Sequence, residues 1–265
     1  MRNDSSKLEQ GERLTGGNTA ESVVRLGSTV RKPVTISTRD VQSFVMHLRS
    51  VGFEGSPNPL GIDDQGRQVW EYVPGPLWHK SKDHTSSDLR RVGGLIKNLH
   101  DAAASFEVPK DAQWNKRYEQ SGHDLICHGD LAPWNLVCGD SRWAFIDWDA
   151  AAPATRLWDL AWTCISFPPL TPDCDLKTAA RAMGDLLSGY SFDSSELDEL
   201  IRLMGARAEA ECDLIVGGAK EGQQPWITLH AEGHHEYWGP VADYIDRNAS
   251  TLECALRSLD DATSR

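Results

Sequence analysis

The stretch Ile126–Val137, ICHGDLAPWNLV, constrains this chain more than any other part of it. Pro133 fixes its own φ and biases Ala132 away from helix. Apolar pairs, Leu125-Ile126 and Leu136-Val137, flank the polar middle. The spacing therefore predicts a loop, HGDLAPWN, held in a rigid frame. A second apolar run, Trp143–Ile146, predicts a short strand that ends on Asp147 and leaves Asp149 two residues beyond.

The residue types of Asp130, Asn135 and Asp147 have a shared chemistry. An Asn and an Asp on facing loops offer a neutral and an anionic oxygen. That donor pair suits Mg²⁺, which keeps few protein ligands and completes its shell with phosphates and water. Asp130 is left over to orient or deprotonate a hydroxyl. A loop Asp, an Asn after it and a metal-binding Asp downstream form the phosphoryl-transfer pattern of a kinase.

The flanking sequence divides into a strand-rich and a helix-rich part. ESVVRLG and STVRKPV read as strands around Gly27-Ser28. A helix follows through VQSFVMHLRSVGF, with Val41, Phe44, Val45 and Leu48 on one face, capped by Ser37, Thr38 or Asp40 and ended by Gly52. PLGIDDQGRQVWEYVPG reads as two strands around a turn at Asp63–Gly66. Pro74-Gly75-Pro76 is a hinge, which makes residues 1–75 a small lobe and 76–265 a larger one. In the second part, Leu89, Val92, Leu95, Ile96, Leu99 and His100 have helical spacing behind a cap at Ser86 or Ser87. Further helices are expected over about 155–167, 174–190, 194–217 and 227–260, the last started by Pro225 and interrupted at Gly239-Pro240. The expected fold class is α+β.

HGDLAPWN followed by FIDWD resembles the aminoglycoside phosphotransferase and choline kinase family, the small-molecule branch of the protein-kinase-like fold. LTGGNTAESVVRLGSTVRKP resembles its nucleotide loop and following strands, and ATRLWDLAW its segment after the metal site, so the resemblance spans nearly the whole chain. It implies ATP and Mg²⁺ as cofactors, a small-molecule hydroxyl as acceptor, Asp130 as catalytic base, and Asn135 and Asp147 as metal ligands. It implies a structural role for His128. Asp149 has two readings, a metal or water contact or a cap for the next segment. Trp134 and Trp148 are expected to pack beneath the loop. Gly16, Gly17 and Asn18 fall where a phosphate-covering loop belongs, since glycines let backbone N–H groups approach phosphate oxygens. Main-chain groups of Glu71, Tyr72 and Val73 fall where adenine would be met.

The sequence departs from that family in two places. The third strand usually presents a Lys to the nucleotide phosphates; here it reads TVRKP, and alternation lets only one of Arg31 and Lys32 face the cleft. The alignment favours Arg31. The first helix offers Asp40 and Gln42 but no Glu to hold that cation. A nucleotide-binding regulator without turnover therefore stands as an alternative, beside kinases of choline, a sugar or a macrolide.

For the acceptor, Glu209 and Asp213 stand at i and i+4 with Glu211 turned away, and His234, Glu236 and Trp238 cluster further on. Carboxylates with aromatics suit an ammonium group. The net charge of −12 agrees, because residues 1–75 are balanced and the excess lies in the larger lobe. An acidic body of this kind repels nucleic acid and anionic membrane. The N-terminus has no apolar signal core, and six scattered cysteines have no metal-ligand spacing. Together these predict free thiols and a cytoplasmic location. Oligomeric state leaves no trace in the sequence.

Overall fold

The strand signals of the first part resolve into one antiparallel sheet. The structure, a computed structural model, describes residues 11–14, 23–81, 83–118, 122–168 and 170–263. Strands β1 (Glu12–Arg13), β2 (Val24–Leu26), β3 (Thr29–Pro33), β4 (Pro59–Ile62) and β5 (Arg67–Glu71) lie in the order β1-β2-β3-β5-β4. The β2–β3 hairpin turns at Gly27, whose φ of +58° suits a residue without a Cβ. The β4–β5 turn is closed by Asp63, whose carboxylate accepts the Gln65 and Arg67 amides. Gly16, Gly17 and Asn18 lie outside the described residues.

Helix α1 (Thr38–Ser50) connects β3 to β4 and buries Val41, Phe44, Val45 and Leu48, the face read from the sequence. That face is not confined to the small lobe. The Phe44 ring lies 6.0 Å from Trp148 and 5.2 Å from Phe106, so one hydrophobic core runs through both lobes. The chain then passes Gly75, which packs against Gly139 so closely that a Cβ would strike its backbone.

Helix α2 (Ser86–Ala103) begins one residue earlier than its expected cap. Thr85, not Ser86 or Ser87, accepts the Asp88 amide while the Asp88 carboxylate accepts the Thr85 amide. This reciprocal cap needs an acid three residues on, and only Thr85 has one. Four short strands follow: β6 (Leu125–Cys127), β7 (Leu136–Cys138), β8 (Trp143–Phe145) and β9 (Ala152–Ala154). They form two ladders, β6 with β9 and β7 with β8, which frame the HGDLAPWN loop and the Asp147 loop.

The remainder is helical: α3 (Arg156–Ser166), α4 (Leu176–Tyr190), α5 (Leu197–Lys220), α6 (Trp226–Ala231) and α7 (His234–Thr263). The expected break at Gly239-Pro240 is absent. The chain bends instead at Gly233, with φ +80°, and α7 continues through Pro240. Proline inside a helix costs about 3 kcal/mol. The flanking side chains Trp238, Val241, Ala242 and Ile245 are all buried, and that packing outweighs the penalty. The result is the expected two-lobed α+β arrangement. No helix among the described residues is long and apolar enough to cross a membrane, and none of the six cysteines is in a disulfide.

Candidate active site

The HGDLAPWN loop is positioned by buried hydrogen bonds from three directions. His128 is fully buried and donates from Nε2 to the Ile146 carbonyl at 3.1 Å, while its Nδ1 accepts the Asp130 amide at 3.2 Å. One donor and one acceptor define a neutral imidazole, and burial pulls its pKa below the usual value. Gly129 has φ +80° and lies so near the Ala150 carbonyl that a side chain would strike it. Beneath the loop, Asp159 of α3 accepts the His128 and Gly129 amides at 3.2 and 3.0 Å and pairs with His100 of α2 at 3.2 Å. His100, Cys127 and Asp159 converge closely enough to suggest a metal site. The Asp159 oxygens are, however, occupied by these bonds, and Cys127 donates to the Thr155 carbonyl. This cluster holds the loop in place.

Asp130 emerges from that frame with its two oxygens in different surroundings. Oδ1 accepts the Trp162 indole N–H at 2.9 Å, and Oδ2 lies 3.9 Å from the Arg117 guanidinium. Burial pushes the Asp130 carboxyl above its ordinary value, and Arg117 pulls back against it. Trp134 packs edge-on to Trp162, and Trp148 lies against His128, so both tryptophans support the loop.

Asn135 donates its side-chain N–H to the Asp130 carbonyl at 3.0 Å, and its own carbonyl accepts the Ile146 amide at 2.8 Å. The catalytic-type loop is thus tied to the strand that delivers Asp147. Asp147 adopts φ 63° and ψ 64°, a left-handed conformation that non-glycine residues take mainly where the surroundings impose it. With the Asn135 amide nitrogen spent, the side-chain oxygen is what remains for a ligand. That oxygen and the Asp147 carboxylate are both oxygen donors, the type that suits a hard divalent cation.

The third strand settles the choice between Arg31 and Lys32. Lys32 Nζ lies 3.1 Å from Asp147 and 2.9 Å from Asp149. Burial works against its charge, but the two carboxylates outweigh it and raise its pKa; in return Lys32 holds Asp147 below the usual carboxylate range. Arg31 faces the other way, 3.3 Å from Asp63 and bonded to Thr29. The expectation that favoured Arg31 is therefore reversed. The register explains it: Lys32 pairs opposite Gln68, on the face that buries Trp70, and Arg31 opposite Val69. Gln42 is not the partner of this cation, since it donates to the Gly61 carbonyl. Asp149 does not cap the next segment either; it binds Lys32.

At the hinge, the Tyr72 amide donates to the Ser28 carbonyl and the Tyr72 ring carries Arg25 at 3.8 Å. Glu71 is engaged by Asn58 and by Arg142 at 2.7 Å, and Val73 is buried with Val137 and Ala144.

On α5 the structure inverts the expected face. Glu209 and Asp213 are exposed, whereas Glu211 points inward to Tyr118 and to Arg207 at 3.0 Å. Arg207 is almost fully buried, with Tyr118 and Trp162 rings at 3.9 and 4.0 Å. A buried guanidinium requires a carboxylate, and the one four residues on is within reach. His234 and Glu236 are exposed, and Trp238 is buried against Trp162 at 4.7 Å. Arg117, Tyr118, Asp159, Arg207 and Glu211 were not singled out from the sequence as site residues. The local signals among them are the Arg207–Glu211 spacing and the place of Asp159 in ATRLWDLAW.

The chain is similar to known proteins. The model of the phosphotransferase enzyme family matches residues 109–200, which include both motif loops. The trifolitoxin immunity protein of Rhizobium leguminosarum bv. trifolii is 31% identical, covering 92% of this chain and 97% of that protein. The chain belongs to the phosphotransferase enzyme family. Solved structures carry the same fold at low identity. A microcompartment-associated aminopropanol kinase is 13% identical with a TM-score of 0.61, covering 88% of this chain and 90% of the other. The amicoumacin kinase hAmiN, solved with AMP-PNP and Ca²⁺, is 12% identical with a TM-score of 0.59, covering 79% and 81%. The fold of this family member is the one these small-molecule kinases share.

Proposed function

We propose that this phosphotransferase uses Mg²⁺ and ATP to phosphorylate a hydroxyl of a small molecule. The observation that carries the reading is a half-buried, oriented Asp130 tied through Asn135 to the strand that delivers Asp147, with Lys32 on the Asp147 carboxylate. Asn135 and Asp147 would hold the metal. Lys32, poised between Asp147 and Asp149, would take the nucleotide phosphates, and the Glu71–Val73 main chain would meet the adenine. Mg²⁺, when bound, neutralises charge on the phosphate oxygens.

Asp130 orients the acceptor hydroxyl through Oδ2, because Oδ1 is taken by Trp162. As the acceptor oxygen bonds to the γ-phosphorus, the bond to the β-phosphate oxygen breaks and the hydroxyl proton passes to Asp130. ADP leaves with the electron pair. The raised pKa of Asp130 makes it a better proton acceptor than a surface carboxylate. Asp149 does for Lys32 what a first-helix Glu does elsewhere, which restores the partner that the sequence lacked.

The acidic larger lobe supports a cationic acceptor, as aminoglycosides are. The name of the immunity protein supports a toxin-like compound among the candidates. The test is mass-spectrometric: protein, ATP and Mg²⁺ with a panel of aminoglycosides, macrolides, amino alcohols and sugars, beside Asp130→Asn. One compound gaining a phosphate with wild type alone is the expected result. Mg·ATP binding with no transfer to any compound and no hydrolysis would favour the regulator.

A further inference from the structure

We infer that Arg117 is a catalytic residue that neutralises the phosphoryl group in transit. This rests on the kinase reading above. During transfer, charge spreads over three equatorial phosphoryl oxygens, and cations aimed at them supply much of the catalysis. Lys32 stands on the Asp147 side of the centre. The four residues between Asp130 and Asn135 are Leu131, Ala132, Pro133 and Trp134, and none is charged. Among the described residues, the cation within ion-pair distance of Asp130 is Arg117, at 3.9 Å.

The delivery of Arg117 is built, not incidental. It arrives on a strap, residues 113–118, that is fastened to both lobes. The Gln113 amide donates to Asp40 of α1 at 2.9 Å, and the Trp114 ring meets Phe44 at 6.4 Å. Asn115 donates to the Asp149 carbonyl at 3.3 Å. Tyr118 binds Glu211 through its hydroxyl and lies over Arg207. The strap therefore holds the backbone on both sides of Arg117 and leaves its guanidinium, one-quarter exposed, beside Asp130 and 5.8 Å from the Trp226 ring. An Arg fork can follow phosphate oxygens without losing its charge. Asp147 and Glu211 are engaged with Lys32 and Arg207, and Arg117 faces Asp130 Oδ2 at 3.9 Å, beyond hydrogen-bond distance. The cation is thus available when a more strongly anionic group enters. Arg117 gives and takes no proton; bond making and breaking remain as described for Asp130.

The test needs no acceptor. ADP with Mg²⁺ and aluminium fluoride presents a planar mimic of the transferred group, and its affinity is compared with that of Mg·ADP by calorimetry. Wild type should bind the mimic much more tightly than ADP. Arg117→Ala should keep its ADP affinity within about twofold and lose roughly 100-fold of that gain, the loss typical of one oriented donor. Arg117→Lys should restore part of it. A thermal melt of each variant identifies a fold defect, which would lower ADP binding as well and would mark Arg117 as merely structural. Full retention of the gain in Arg117→Ala would overturn the inference. So would a wild type that binds Mg·ADP and gains nothing from the fluoride. A wild type that binds no Mg-nucleotide at all would overturn the kinase reading first.

Discussion

Asp130 and Lys32 come from different lobes, two walls of the candidate site that are held in different ways. Around Asp130 the bonds are buried and reach into the core: His128, Asp159, His100 and Trp162 fix its backbone and one oxygen. Lys32 is held by two charge-assisted contacts, to Asp147 and Asp149, and the Asp147 side chain is 44% exposed. The Asp130 wall is a fixed template whose geometry comes at the expense of buried polar groups. The Lys32 wall is a set of charges that can exchange partners. Asp147 pairs with Lys32 in the free protein and is the group proposed to meet a metal, so loading the site is a partner exchange.

The largest expected effect falls on the rigid wall. Asp130→Asn removes the proton acceptor and should lower kcat by about 10³-fold, the scale of general-base catalysis, with Mg·ATP affinity within about twofold of wild type. Steady-state kinetics with nucleotide titration checks both; retained turnover would refute the role. Next is Asp159→Ala, which leaves two backbone amides and His100 without their shared partner. Urea unfolding should show a loss of about 3 kcal/mol or more, as for other broken buried pairs. A change under about 1 kcal/mol would mean that the loop is held by something else.

On the charged wall the order of effects reverses, with binding hit and stability spared. Lys32→Ala should weaken ATP binding about tenfold, the worth of a charge-assisted bond, and Arg31→Ala should leave ATP binding within about twofold. Equal effects would erase the distinction between the two side chains. Asp149→Asn should be smallest, a few-fold loss of ATP affinity, since Asp147 still pairs with Lys32 at 3.1 Å. An Asp149→Asn protein with unchanged ATP affinity would remove Asp149 as the anchor of Lys32.

The same division separates what the sequence disclosed from what it hid. The HGDLAPWN loop, the Asp147 strand and the apolar faces of α1 and α2 were legible because each is set locally, by Pro133, by alternation or by helical spacing. The orientation of Lys32 was not, because strand parity depends on pairing with β5, and Val69 and Trp70 are both buried on opposite faces. Arg117 lies in a segment without periodicity, and its place depends on contacts to α1 and α5. The rotation of α5 was misread because Glu209 and Asp213 have the same spacing as Arg207 and Glu211. Only the aromatic walls around Arg207, supplied by distant Tyr118 and Trp162, decide which pair faces inward. Pro240 was misread for a related reason, since its local cost is outweighed by packing between elements far apart in sequence.

The central claim is that Asp147 and Asn135 load a metal-bound nucleotide in front of Asp130. Calorimetric titration of Mg·ATP into wild type, Asp130→Asn and Asp147→Ala tests it directly. Mg²⁺-dependent binding is expected in the first two and its loss in the third. Binding that survives Asp147→Ala with the same Mg²⁺ dependence, or that is absent from wild type, would contradict it.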